Sequence, residues 1–140
     1  MFVTIFCIIL NLETGEMQFA NGGHNPPLIC GNNRCFEFVD VPKGCVVGAM
    51  ENSKIGSGKI KLLPGDVIFL YTDGVTEAMN PKSELFSEPR LKESLAKLTE
   101  KSVTEIVTAM REEIRGFAQD APQSDDITML VVKYKGKPSV

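Results

Sequence analysis

Leu63-Pro64-Gly65-Asp66-Val67-Ile68-Phe69-Leu70-Tyr71-Thr72-Asp73-Gly74 is the stretch whose pattern decides the fold of this 140-residue chain. Pro64 and Gly65 hold the central positions that a tight turn favours. Residues 67–71 then form a short, wholly apolar run with strand composition, and Thr72-Asp73-Gly74 ends it. A turn, a buried strand and an abrupt acidic stop point to a sheet that delivers a carboxylate to its rim.

Upstream, the period stays that of strands. Residues 57–63 alternate into the turn. Residues 2–12 are rich in β-branched and aromatic side chains (Phe2, Val3, Thr4, Ile5, Phe6, Ile8, Ile9), which reads as a strand buried on both faces. Glu13-Thr14-Gly15-Glu16 turns the chain back into a strand over 17–20. Asn21-Gly22-Gly23-His24-Asn25-Pro26-Pro27 is a cluster of breakers and reads as an irregular loop. Residues 28–30 and 35–39 flank Gly31-Asn32-Asn33 as a second hairpin.

Downstream, the period becomes helical. Ser87 is placed to cap a short helix carrying Leu91, Leu95 and Leu98 on one face. Ser102 and Glu105 form a capping box ahead of Val103, Ile106, Val107, Met110, Ile114 and Phe117. A final strand is expected over 127–134. Strands, two helices and one more strand make an α+β domain with a mainly antiparallel sheet.

Composition excludes several function classes. Fifteen Lys and Arg against eighteen Asp and Glu leave a net charge of -3, with no basic field to hold nucleic acid or an anionic membrane. The apolar opening, residues 1–10, is too short for a membrane span and lacks the basic start and cleavage site of a signal peptide. Cys7, Cys30, Cys35 and Cys45 lack zinc-knuckle spacing and read as buried thiols in a reducing, cytoplasmic setting, a Cys30–Cys35 disulfide remaining unsupported. Gly56-Ser57-Gly58-Lys59 resembles the end of a phosphate loop without its spacing or following helix, and reads as a flexible connection. Residues 44–50 are expected to pack beside the site.

Two acidic positions carry the chemical interest. Asp73 follows a rigid strand, and Gly74 permits close backbone approach or positive φ. Asp125 and Asp126 stand just before the last strand; adjacent carboxylates repel unless a cation or donor relieves them. Oxygen ligands without His or Cys clusters suit magnesium or manganese. His24, between Gly23 and Asn25, reads first as a brace that bonds backbone carbonyls while Asn25 caps a turn, and second as an acid–base group. Glu77 either caps the short turn after Asp73 or steadies a metal-bound water.

Three landmarks occur in order: Phe19-Ala20-Asn21-Gly22-Gly23-His24-Asn25-Pro26-Pro27; then Pro64-Gly65-Asp66 leading to Leu70-Tyr71-Thr72-Asp73-Gly74-Val75-Thr76-Glu77-Ala78; then Ser124-Asp125-Asp126-Ile127-Thr128. Together they resemble the bacterial PP2C-like (PPM) serine/threonine phosphatases of the SpoIIE/RsbU type, and Phe2-Val3-Thr4 resembles the opening of that family's central strand. The resemblance implies a β-sandwich flanked by two helices, a truncated PP2C-like fold over residues 1–134; residues 135–140 read from their own sequence as a disordered tail. It implies two Mn2+ or Mg2+ ions, Asp73 and Asp125 as metal ligands, and Gly74 and Asp126 as support of the metal loop; Glu77 is a further candidate for that support, and Gly23, His24 and Asn25 read as a structural loop near the site. A bridging water would attack the phosphorus of a phosphoserine or phosphothreonine on small anti-anti-sigma (STAS) regulators.

The family carries further acidic ligands upstream of the Phe-Val-Thr strand. The expectation is therefore a C-terminal portion of the catalytic domain that holds metal weakly or not at all, is inactive alone, has no catalytic group assigned within it, and forms a homodimer through open strand edges. A catalytically inert phosphatase-like module that binds a signalling partner, and an unrelated α+β domain, stand as the other readings.

Overall fold

The computed structural model describes residues 2–42, 44–49 and 54–137. Two antiparallel sheets and a helical layer stack in that order. β1 (Ile5–Leu10) and β2 (Glu16–Gly22) form a hairpin, and β5 (Gly56–Lys61) adds to the far side of β2, giving the sheet order β1-β2-β5. β3 (Leu28–Cys30), β4 (Phe36–Phe38), β6 (Val67–Tyr71) and β7 (Met129–Lys133) form the second sheet in the order β4-β3-β6-β7. Three helices follow β6: α1 (Asp73–Thr76), α2 (Ser87–Ala96) and α3 (Val103–Ala118).

β6 shows why its sequence is apolar throughout. Ile68 and Leu70 join Met17, Phe19, Leu62 and Tyr134 in the core between the sheets. Val67, Phe69 and Tyr71 point the other way, into a core built with Leu91, Leu95, Ile106, Met110 and Ile114 of the helices. A strand covered on both faces has no polar side to show. Its entry turn is hydrogen-bonded from Asp66 N to Leu63 O at 3.0 Å, and Gly65 takes φ +105°, the conformation that position requires.

The helical layer is held by packing and by one good cap. In α3 the Ser102 hydroxyl accepts from Glu105 N while the Glu105 carboxylate accepts from Ser102 N, the expected capping box. Those bonds hold the Glu105 carboxyl below its ordinary range. Phe86 meets Phe117 edge-on at 5.4 Å, and Arg90 lies 4.9 Å over the Phe117 ring, joining α2 to α3. Ser87 does not cap α2: it sits at φ +67°, and the buried Phe86 takes the cap position without a side-chain bond.

Four further expectations are corrected. β1 is covered on one face only: Phe6, Ile8 and Leu10 pack inward, while Ile5 and Ile9 are 45% and 69% exposed. It is an edge strand whose outer face meets no described element, and an apolar run by itself does not say how many faces are covered. Asn21 and Gly22 belong to β2 rather than to the loop, because they pair with β1 on one side and Asn21 pairs with Gly56 on the other. Gly56-Ser57-Gly58-Lys59 is the start of β5, not a flexible connection. A Cβ on Gly58 would lie 2.5 Å from the Phe19 ring, so the glycine is there to admit the aromatic.

The fourth concerns the cysteines. All four are free, but only Cys30 is buried, and Cys7 and Cys35 are exposed. Burial, with smaller contributions from Cys35 and Asp66, pushes the Cys30 thiol up, which keeps it protonated and inert. Of the tail expected over 135–140, residues 138–140 lie outside the described residues. Gly136 packs against Pro64, its φ at +80°. Met50, at the end of the segment expected to pack near the site, also lies outside them. No helix among the described residues is long and apolar enough to cross a membrane.

Candidate metal centre

The two acidic segments, far apart in sequence, meet at the junction of β6 and β7. The pairing of these strands ends at Tyr71 opposite Met129, and the chain beyond each strand end is then clasped by Thr72. Its N–H donates to the Thr128 carbonyl at 3.1 Å, its hydroxyl donates to the Asp126 carbonyl at 2.9 Å, and the same hydroxyl accepts from Thr128 N at 3.0 Å. Thr72 therefore fixes the turn that carries Asp125 and Asp126 against the turn that carries Asp73.

Gly74 sets how closely they approach. A Cβ there would lie 2.4 Å from the Asp126 carbonyl oxygen and 3.3 Å from that of Asp125. Its φ is not positive, so glycine is required by backbone contact rather than by conformation. The contact is with the second acidic turn.

Asp73 opens α1, a short helix that the strand and helix periods did not reveal. Its carbonyl accepts from Glu77 N at 2.8 Å and from the Thr76 hydroxyl at 3.1 Å. One carboxylate oxygen accepts from Gly74 N at 3.1 Å. Asp125 is held in the same manner, with Oδ1 accepting from Asp126 N at 2.7 Å and its carbonyl from the Gln123 amide at 2.7 Å. Asp73, Asp125 and Asp126 are all exposed. Glu77 caps α1, and its carbonyl accepts from the Ser124 hydroxyl at 3.3 Å, a second tie between the segments.

The loop around His24 is braced differently from expectation. His24 Nδ1 pairs with the Thr4 hydroxyl at 3.0 Å rather than with a backbone carbonyl. The Asn21 side chain, not that of Asn25, closes the turn by accepting from His24 N at 2.8 Å. Gly23, at φ +73°, lies against Val46 of the 44–49 segment. Asn25 instead stands beside the Tyr71 hydroxyl, which is buried and makes no hydrogen bond among the described residues. Burial, with Glu88 adding to it, pushes the Tyr71 phenol up to about 12. The Asn25 contact brings the His24 loop to the end of β6 from which Asp73 emerges.

The donors suit a hard cation in kind, since they are carboxylate oxygens on a solvent-facing rim. In number they fall short: among the described residues, no group of three or more His, Cys, Asp or Glu side chains is arranged to hold a metal ion.

The family model described as Stage II sporulation protein E (SpoIIE) matches residues 1–135. The chain belongs to the SpoIIE family. Protein IcfG of Synechocystis is 36% identical over 133 residues, covering 94% of this chain and 20% of that protein. Phosphoserine phosphatase RsbU of Bacillus subtilis is 28% identical over 136 residues, covering 96% of this chain and 40% of that one. The chain thus spans less than half the length of these SpoIIE-family relatives. The phosphatase domain of Bacillus subtilis SpoIIE, from crystals presoaked with Mn, superposes with a TM-score of 0.75 at 18% identity over 98% of this chain and 59% of that one. The fold is the PP2C-type phosphatase fold of that family.

Proposed function

We propose that this chain is part of the catalytic domain of a cytoplasmic, metal-dependent serine/threonine protein phosphatase, with Asp73 and Asp125 as metal ligands. The observation that carries the reading is the Thr72 clasp, which holds the two acidic turns of the family motif on one rim. Membership in a family that includes a phosphoserine phosphatase supports it.

In this reading Asp73 and Asp125 would together help to hold a centre of two Mn2+ or Mg2+ ions through their exposed carboxylates. A bound divalent ion supplies Lewis acidity toward a phosphoryl oxygen and a water able to react near neutral pH. Gly74 keeps the turns in register, Asp126 joins them through its carbonyl, and Glu77 buttresses both through its backbone. Gly23, His24 and Asn25 shape the rim from the neighbouring loop. Two carboxylates serving two ions leave most of each coordination sphere to water, so these residues by themselves would hold the ions weakly and turn over little or nothing, with further ligands expected from the longer protein. The substrate class is a phosphorylated STAS-type regulator. The open edge and apolar outer face of β1 favour self-association of the chain when it stands alone.

A catalytically inert phosphatase-like module that binds a signalling partner is the second reading, favoured by the small number of acidic groups gathered among the described residues. Manganese-dependent hydrolysis of a phosphoserine protein by the full-length enzyme separates the two. The phosphatase reading expects activity that Asp73→Asn and Asp125→Asn each reduce by at least about a hundredfold, the scale on which loss of an electrostatic stabiliser acts. Activity indifferent to both substitutions removes these residues from the site, and no activity at all supports the inert module.

A further inference from the structure

Beside the acidic turns lies a cleft of about 620 Å³, within the size range of specific ligand sites. One wall is the C-terminal half of α3, the other is the loop that leads to Asp125, and Ile114, Ala118, Ile127 and Met129 give it an apolar lining. Arg111 and Arg115 are the charged residues that line it. They stand one helical turn apart and so share a face of α3. Both are exposed, and neither makes an ion pair among the described residues. Of the acids of the same helix, Glu112 and Glu113 line a separate cleft against α2, and Glu105 sits in the first turn, paired with Lys101.

The cleft adjoins the candidate metal centre through residues bonded to its acidic turns. Gln123 lines it and donates to the Asp125 carbonyl. Ala78 and Met79, which follow the Glu77 carbonyl bonded by Ser124, close its end. A segment lying in this cleft would pass beside the loop that leads to Asp125.

We infer that the cleft is a docking site for an acidic–apolar segment of the phosphoprotein substrate, next to the phosphorylated residue. Two guanidinium groups over an apolar floor select carboxylates that alternate with aliphatic side chains. Guanidinium pairs at a cleft rim contribute steering and specificity more than raw affinity, so binding should weaken with salt. Calling the occupant a phosphatase substrate rests on the function proposed above; the preference for acidic–apolar sequence rests on the cleft alone.

The test is fluorescence anisotropy with a labelled peptide in which a phosphoserine is followed by alternating aspartate and leucine, with and without manganese. Expected is binding by the wild-type chain, about tenfold weaker for Arg111→Glu/Arg115→Glu, a loss of about 1.4 kcal/mol. The unphosphorylated peptide should show the same arginine dependence, and a peptide with lysine in place of aspartate should not bind. Arg111→Gln/Arg115→Gln, with a smaller loss, serves as a check if charge reversal disturbs folding. Failure of the wild type to bind, or equal binding by both arginine variants, overturns the docking site. If arginine dependence persists while the full-length enzyme shows no manganese-dependent hydrolysis, the cleft stands and the metal reading falls.

Discussion

The Thr72 hydroxyl donates to the Asp126 carbonyl at 2.9 Å across 54 residues of sequence, and through this bond the end of β6 is locked to the approach to β7. The same oxygen accepts from Thr128 N, so one side chain satisfies two backbone groups that strand pairing has left behind. Thr72→Val keeps the shape and removes both bonds. It should destabilise the domain by about 0.5–1.5 kcal/mol, the net worth of intramolecular hydrogen bonds that water can reach, read from urea unfolding. Unchanged stability would mean that water replaces the hydroxyl and that the clasp is incidental.

Gly74→Ala tests the close approach of the two turns. Its Cβ meets the Asp126 carbonyl at 2.4 Å, and backbone rather than a flexible side chain must move. The expected destabilisation is about 1–3 kcal/mol, typical of overpacking. If Gly74→Ala matches the wild type in unfolding, the turns are not in the contact described.

Tyr71 gives the fold an alkaline weakness. Its phenol ionises near 10 when unfolded but is held protonated to about 12 in the fold. The stability it contributes is complete below about 10 and is lost as pH rises through the folded value, because only the unfolded chain releases the proton in that window. Tyr71→Phe removes a buried hydroxyl that has no partner among the described residues. The variant should equal or exceed the wild type at pH 7 by up to about 1 kcal/mol, and should lose less stability between pH 9 and pH 11, as flagged by the same linkage. Parallel pH profiles for the two proteins would contradict this.

β1 offers a paired test of its two faces. Ile9 is 69% exposed, so Ile9→Lys should leave stability within about 0.5 kcal/mol while reducing self-association in light scattering. Ile8 packs into the core between the sheets, and Ile8→Lys should unfold the chain at a lower urea concentration. Equal effects of the two substitutions would place the strand's faces wrongly.

Periodicity made α3 and β6 legible in the sequence: the capping box at Ser102 and Glu105 marks a start, and Leu63-Pro64-Gly65-Asp66 marks a turn. What it did not disclose was which surfaces meet. The apolar run of β1 says nothing about an uncovered outer face, and Gly58 looks like a breaker until the Phe19 ring is placed over it. α1 is only four residues long, too short to show a helical period. At the candidate site, the acidic motifs and their family likeness were visible in the chain. The Thr72 clasp was not, because a hydrogen bond across 54 residues leaves no local pattern. The pairing of Arg111 and Arg115 with the loop before Asp125 was hidden for the same reason.

Manganese titration by calorimetry, run on the wild type, Asp73→Asn, Asp125→Asn and the double variant, addresses the claim that these two carboxylates serve one centre. Shared coordination predicts weak binding by the wild type, a comparable loss in each single variant, and little further loss in the double. Losses that simply add, or affinity that neither substitution alters, would show that the two aspartates act apart.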